Sequence, residues 1–182
     1  TESKFKTDIK LVNKLKDNDC PNFSIRLIKN VENKNSSANL IKRFKKTDLK
    51  LISSLVDITN FITIDFCRPL HVFDYDKIEG DLIIRHSKKG EKFLGLDDEN
   101  YELDDGMIVI CDDSGVISLA GILGGKRTAC DEKTKNVLIE SAYFSPASII
   151  KSGRKLNIQS DARYRFERGI DPDSVDDGIE YA

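Results

Sequence analysis

A single mixed α+β domain, with a β-rich centre and short packed helices, is the fold this sequence predicts over residues 1–182. Short apolar runs broken by turn residues dominate residues 80–140, and helix-period segments with capping residues lie on either side of them. No internal repeat or low-complexity linker divides the chain. With 182 residues and 39% hydrophobic content, the chain can bury one proper core, whereas two would be a squeeze.

Taken in order, Phe5–Val12 and Phe23–Val31 read as strands, because apolar residues alternate or cluster over short runs bounded by Asn, Asp and Pro. Asp19-Cys20-Pro21-Asn22 is the turn between them. Asn35-Ser36-Ser37 offers caps for a helix whose apolar face is Leu40, Ile41 and Phe44, and a second helical pattern runs from Leu51 to about Ile64. Four β runs follow: Leu82–Ile84, Met107–Cys111, Val116–Ala120 and Val137–Ile139, with a turn at Asp112-Asp113-Ser114-Gly115. Pro146 opens a helix through about Leu156, and Pro172 opens another still running at Ala182, which gives the expectation of a segment from a longer polypeptide.

Composition excludes several classes. No stretch approaches the roughly 20 apolar residues that cross a bilayer, and the first ten residues are polar, so a cytoplasmic protein is expected. Four cysteines without a CxxC pair, and two histidines in no zinc-like spacing, predict reduced thiols and no metal. The net charge of -2 is uneven: residues 1–50 carry 13 Lys/Arg against 6 Asp/Glu. That end either faces phosphate or is a solvated Lys- and Asn-rich surface, and charge alone does not decide.

The segment Gly121-Ile122-Leu123-Gly124-Gly125-Lys126-Arg127-Thr128 is no P-loop, because its glycine spacing is one residue short and Arg127 replaces the magnesium-holding Ser or Thr. Glycines directly after a strand still let a ligand approach backbone N–H groups. No GxSxG elbow occurs, and covalent catalysis finds no support. His71 follows Pro69, which favours a loop position open to ligand, although a lone histidine also fits a structural place. Glu140, inside the apolar run Val137–Ala142, either points inward and needs a partner or faces outward from the strand.

Five blocks in sequence order resemble the editing domain of the β subunit of bacterial-type phenylalanyl-tRNA synthetases. They are Val56-Asp57-Ile58-Thr59-Asn60-Phe61, Pro69–Asp74, Ala120–Gly125, Glu140-Ser141-Ala142-Tyr143-Phe144 and Arg165–Pro172, and the likeness is clearest over residues 20–172. The resemblance implies hydrolysis of the ester of mischarged Tyr-tRNA(Phe) by water, with tRNA and an α subunit as partners and neither DNA nor a membrane. ATP and magnesium chemistry would lie elsewhere in the parent enzyme, with no cofactor in this chain. Asn60, His71 and Gly121 are implied for catalysis, and Ala120, Gly124, Gly125, Glu140, Ser160 and Ala162 for the substrate, with Glu140 accepting from the tyrosine hydroxyl. Backbone N–H groups at Gly121, Gly124 and Gly125 are implied for the oxyanion. The family pattern is broken at Lys50 (commonly Arg), Cys67-Arg68 (Gly-Gln), Ser160 (Thr) and Arg163 (Ser), where a bulky cation beside Ala162 would change the pocket mouth. Two alternatives stand beside this reading: a tRNA- or subunit-binding domain without editing, and a freestanding deacylase acting in trans.

Overall fold

The computed structural model describes residues 8–15, 19–47 and 49–182. Its ten strands and five helices run in the order β1 (Leu11–Asn13), β2 (Phe23–Lys29), α1 (Ala38–Phe44), α2 (Ser54–Asp65), β3 (Leu70–Asp74), β4 (Leu82–His86), β5 (Lys92–Leu94), β6 (Asn100–Glu102), β7 (Ile108–Asp112), β8 (Gly115–Leu119), β9 (Leu123–Gly124), β10 (Asn136–Ala142), α3 (Pro146–Leu156), α4 (Asp161–Phe166) and α5 (Val175–Tyr181). A five-stranded sheet has the order β1-β4-β7-β8-β9, a three-stranded sheet the order β2-β10-β3, and β5-β6 form a separate hairpin. Among the described residues only the β1–β4 pair is parallel. The mixed α+β class predicted from sequence is the one observed.

The first strand is shorter than expected: it starts at Leu11, and the expected portion over residues 5–7 lies outside the described residues. β2 stops at Lys29 because Asn30 takes a left-handed conformation (φ 60°), which ends the ladder before Val31. Helix α1 has the expected cap, Ser37 Oγ accepting from the Leu40 N–H at 3.3 Å. Helix α2 begins three residues after Leu51, because buried Asp57 reaches back to accept from the Ile52 N–H at 2.9 Å and holds that segment extended. At the C-terminus Pro172 opens a 3-10 turn, and α5 proper starts at Val175.

Strand β10 organises the functional half of the molecule. Residues 137–142 are all buried, since the strand is central in its sheet and covered on both faces. Val137 and Ile139 pack with Val72 and Ile179 of α5 on one face. Leu138 and Ala142 enter the main core on the other, with Phe73, Phe144, Val109, Ile110 and Leu119. Each large side chain fully removed from water there contributes about 1.5–3 kcal/mol. Period-2 alternation therefore carries Glu140 into the face shared with Leu138 and Ala142.

Candidate functional site

Strand pairing brings the two most informative polar residues together. His71 is not on an open loop, as its place after Pro69 suggested; it lies within β3, directly opposite Glu140 in the antiparallel register. The backbone after Pro69 is already extended, and pairing with β10 turns that preference into a strand. Side chains of directly paired residues share one face with Cβ atoms roughly 5 Å apart. Both line a cavity of about 70 Å³ at the junction of the two large sheets, with Leu119, Gly121, Gly124 and Ala162 among its walls.

Electrostatics in this cavity follow from desolvation. Glu140 is only 6% exposed, and its Oε2 has no hydrogen-bond partner among the described residues. Burial pushes its pKa up to about 8, so at neutral pH the group mostly keeps its proton. A neutral carboxyl can both donate and accept a hydrogen bond. Burial pushes His71 down to about 4, so its imidazole is neutral beside that carboxyl. The His71 ring also meets Phe73 edge-on, with centroids 4.4 Å apart.

The glycines differ in what they do. Gly121 sits in a left-handed turn (φ 67°), and its N–H has no acceptor among the described residues. A Cβ on Gly124 would lie 2.3 Å from His71 Cε1, so this glycine makes room for the imidazole. Gly125 is not an oxyanion donor: its N–H already donates to Ile117 O at 2.9 Å, and it does not line the cavity. Ala120 is likewise spent in the core, with its N–H on Ile108 O.

Helix α4, which the sequence reading missed, supplies another wall through Ala162 and Phe166. Ser160 does not reach the cavity as implied. Its Oγ accepts from Arg163 N–H at 3.0 Å as the helix cap and donates to Ile122 O at 2.6 Å, tying the helix to the glycine turn. Arg163 does not crowd the mouth: its side chain is buried against Gly153, donating to Ile158 O at 2.5 Å and to Glu167 at 3.1 Å. Asn60 stands on α2 and is not among the lining residues. Pro69, Leu70, Ser118, Ile122, Leu123 and Phe166 are wall residues that were not singled out, although all but Ser118 lie inside the blocks that carried the resemblance.

Among the described residues no group of three or more His, Cys, Asp or Glu could hold a metal ion, and no helix is long and apolar enough to cross a membrane. The four cysteines are free thiols.

Comparison with known proteins agrees with this architecture. The phenylalanine-tRNA ligase β subunits of Nitrobacter winogradskyi and Bradyrhizobium diazoefficiens are 53% and 52% identical over 163 residues, which is 90% of this chain and 20% of each relative. That of Brucella suis is 48% identical over the same span. The chain thus covers about a fifth of the length of these relatives. Among solved structures, an N-terminal fragment of the phenylalanyl-tRNA synthetase β subunit from Pyrococcus horikoshii shares the fold, with a TM-score of 0.56 and 17% identity over 84% of this chain and 50% of that one. The B3/4 domain profile matches residues 19–182, nearly the whole described structure, and the chain belongs to the B3/4 domain family.

Proposed function

We propose that this chain is the editing domain of a phenylalanine-tRNA ligase β subunit, a cytoplasmic enzyme completed by an α subunit, and that it hydrolyses mischarged Tyr-tRNA(Phe). The observation that carries the reading is Glu140: a buried carboxyl with an unpartnered oxygen, on the wall of a cavity otherwise built largely from glycine, alanine and aliphatic groups. A phenolic hydroxyl satisfies it, whereas a phenyl ring leaves it unpaired at a cost of about 1–3 kcal/mol, tenfold to a hundredfold in preference. At about 70 Å³ the cavity is smaller than the roughly 150 Å³ that holds a benzene ring, so accepting tyrosine requires its walls to part.

In the reaction, water adds to the ester carbonyl carbon, and the tetrahedral oxyanion meets the Gly121 N–H. The bond to the ribose oxygen then breaks, that oxygen takes one proton of the attacking water, and tyrosine leaves as its carboxylate with the second proton released to solvent. With a pKa near 4, His71 is a weak base, so its role is to orient the water or a ribose hydroxyl. Asn60, outside the lining, would act on the RNA side of the ester.

The test is single-turnover deacylation of Tyr-tRNA and Phe-tRNA by the chain and by Glu140→Ala. The substituted chain should lose Tyr-tRNA hydrolysis strongly and shrink the Tyr-over-Phe ratio by tenfold or more. An unchanged ratio in a folded variant removes the role from Glu140, and binding without turnover by the unsubstituted chain makes this a docking domain instead.

A further inference from the structure

Away from the cavity, helices α1 and α2 enclose a groove of about 190 Å³ that shares no lining residue with it; Phe44, Leu49, Phe61 and Ile64 form its floor. From Phe61 a run of rings leads outward. The Arg43 guanidinium lies 5.1 Å from the Phe61 centroid, Phe61 meets Phe66 edge-on at 6.4 Å, and Phe66 stacks on Tyr181 of α5 at 4.5 Å and 14°. Phe66 and Tyr181 remain 43% and 60% exposed. Leu51 and Ile52, at 42% and 70%, follow Leu49 in the chain, so most of the exposed large hydrophobic residues belong to this region.

Cations border the groove, Arg43 and Lys46 lining it beside Phe61. Lys42, Lys45, Lys46 and Lys50 are exposed and have no carboxylate partner among the described residues, while Arg43 meets Asp65 at 3.8 Å. Five of the thirteen Lys and Arg residues among the first fifty fall in this segment. A polypeptide docking through apolar contacts would leave those cations unanswered. A phosphate backbone neutralises them, and the exposed rings give an unpaired base a face on which to stack. A run of rings leading from a groove lined by Arg43 and Lys46 to an exposed stacked pair is the feature that charge counting alone could not supply.

We propose that the α1–α2 face, with Tyr181, is an RNA-docking surface that holds the sugar-phosphate backbone through Lys42, Lys45 and Lys46 and stacks a base on the Phe66–Tyr181 pair. The inference rests on the reading of the substrate as a charged tRNA, and gives that substrate a second point of attachment outside the cavity.

The test is titration of uncharged tRNA into the chain over a range of salt concentrations. Joint Lys42→Ala, Lys45→Ala and Lys46→Ala substitution should lower affinity at least tenfold and reduce the slope of log affinity against log salt by about 2–3. Tyr181→Ala should weaken binding several-fold with the slope unchanged, because it removes stacking and no charge. Unchanged affinity and slope in the lysine variant overturn the proposal. So does self-association that Ile52→Glu abolishes while tRNA affinity holds, which would assign the face to a second copy of the chain. Hydrolysis of a small tyrosyl ester of adenosine by the unsubstituted chain reads the cavity alone, so failure there is distinguishable from failure of the docking face.

Discussion

Burial holds Glu140 in the protonated form that water would not choose at neutral pH and keeps His71 neutral well into acid. In the folded chain Glu140 keeps its proton to about pH 8, against 4.5 for an exposed glutamate, so the folded state binds more protons than the unfolded state between those values. Stability therefore falls as pH rises through that window. His71 acts at the acid end: the unfolded chain protonates near 6.5 and the folded chain only near 4, so stability is lost as pH falls between them. Between about pH 6.5 and 8 only Glu140 of the two contributes, which isolates it. Glu140→Gln, which keeps the shape and cannot ionise, should flatten the decline over that interval and stabilise the chain at pH 8 by on the order of 3 kcal/mol. Urea midpoints of both chains at pH 6.5 and pH 8 check this, and parallel declines would show that Glu140 ionises without penalty. The sequence displayed a carboxylate within an apolar strand but not its direction. A strand buried on both faces has no polar alternation to betray which way a residue points, and only the register with β3 settles it.

At the scale of elements, legibility followed length and capping chemistry. Helices α1 and α3 were readable from Ser37 and Pro146, and β4, β7, β8 and β10 from their Val- and Ile-rich runs. The hairpin β5–β6 was not, since three-residue strands such as Asn100-Tyr101-Glu102 carry too few apolar positions to show a period. Helix α4 was missed because its six residues, Asp-Ala-Arg-Tyr-Arg-Phe, are mostly polar and its apolar pair faces the cavity. Its cap, Ser160, was instead taken for a ligand contact. The two hydrogen bonds of that hydroxyl, accepted from the Arg163 N–H and donated to Ile122 O, give the element its own prediction. Ser160→Ala should lower stability by about 1–2 kcal/mol and slow Tyr-tRNA and Phe-tRNA hydrolysis together, because the wall shifts while the discriminating carboxyl stays. Ser160→Thr should retain both bonds and most activity. Thermal unfolding with the same deacylation assay checks this, and a change in the Tyr-over-Phe ratio for Ser160→Ala would return the hydroxyl to the substrate.

Across the whole molecule, one side chain ties together segments far apart in sequence. Arg68, 1% exposed, follows Cys67, whose left-handed backbone (φ 52°) fits a position where glycine is usual in the resembling family. From there its guanidinium donates to Ala142 O at the end of β10 at 2.9 Å, to Asp171 O, and to Ser174 Oγ at 3.1 Å and 2.6 Å, while its stem packs where a Cβ on Gly178 would clash. It thus pins α5 and the turn before it to the strand that carries Glu140, and its planar fork satisfies several acceptors at once. The pair that breaks the family pattern in sequence is a built joint. Burial holds the guanidinium pKa below its ordinary value, yet hydrogen bonds to carbonyl and hydroxyl oxygens compensate its desolvation without a salt bridge. Arg68→Ala should cost about 3–5 kcal/mol, because it opens a void and strands buried carbonyls. Arg68→Gln, the usual family residue, retains a donor and part of the stem and should cost about half as much. Hydrogen exchange adds a readout that global stability lacks: amides of α5 should lose more protection than those of β7 and β8, which belong to the other sheet. Uniform loss across both sheets would mean that Arg68 supports the core in general and is no joint between β10 and the C-terminal helix.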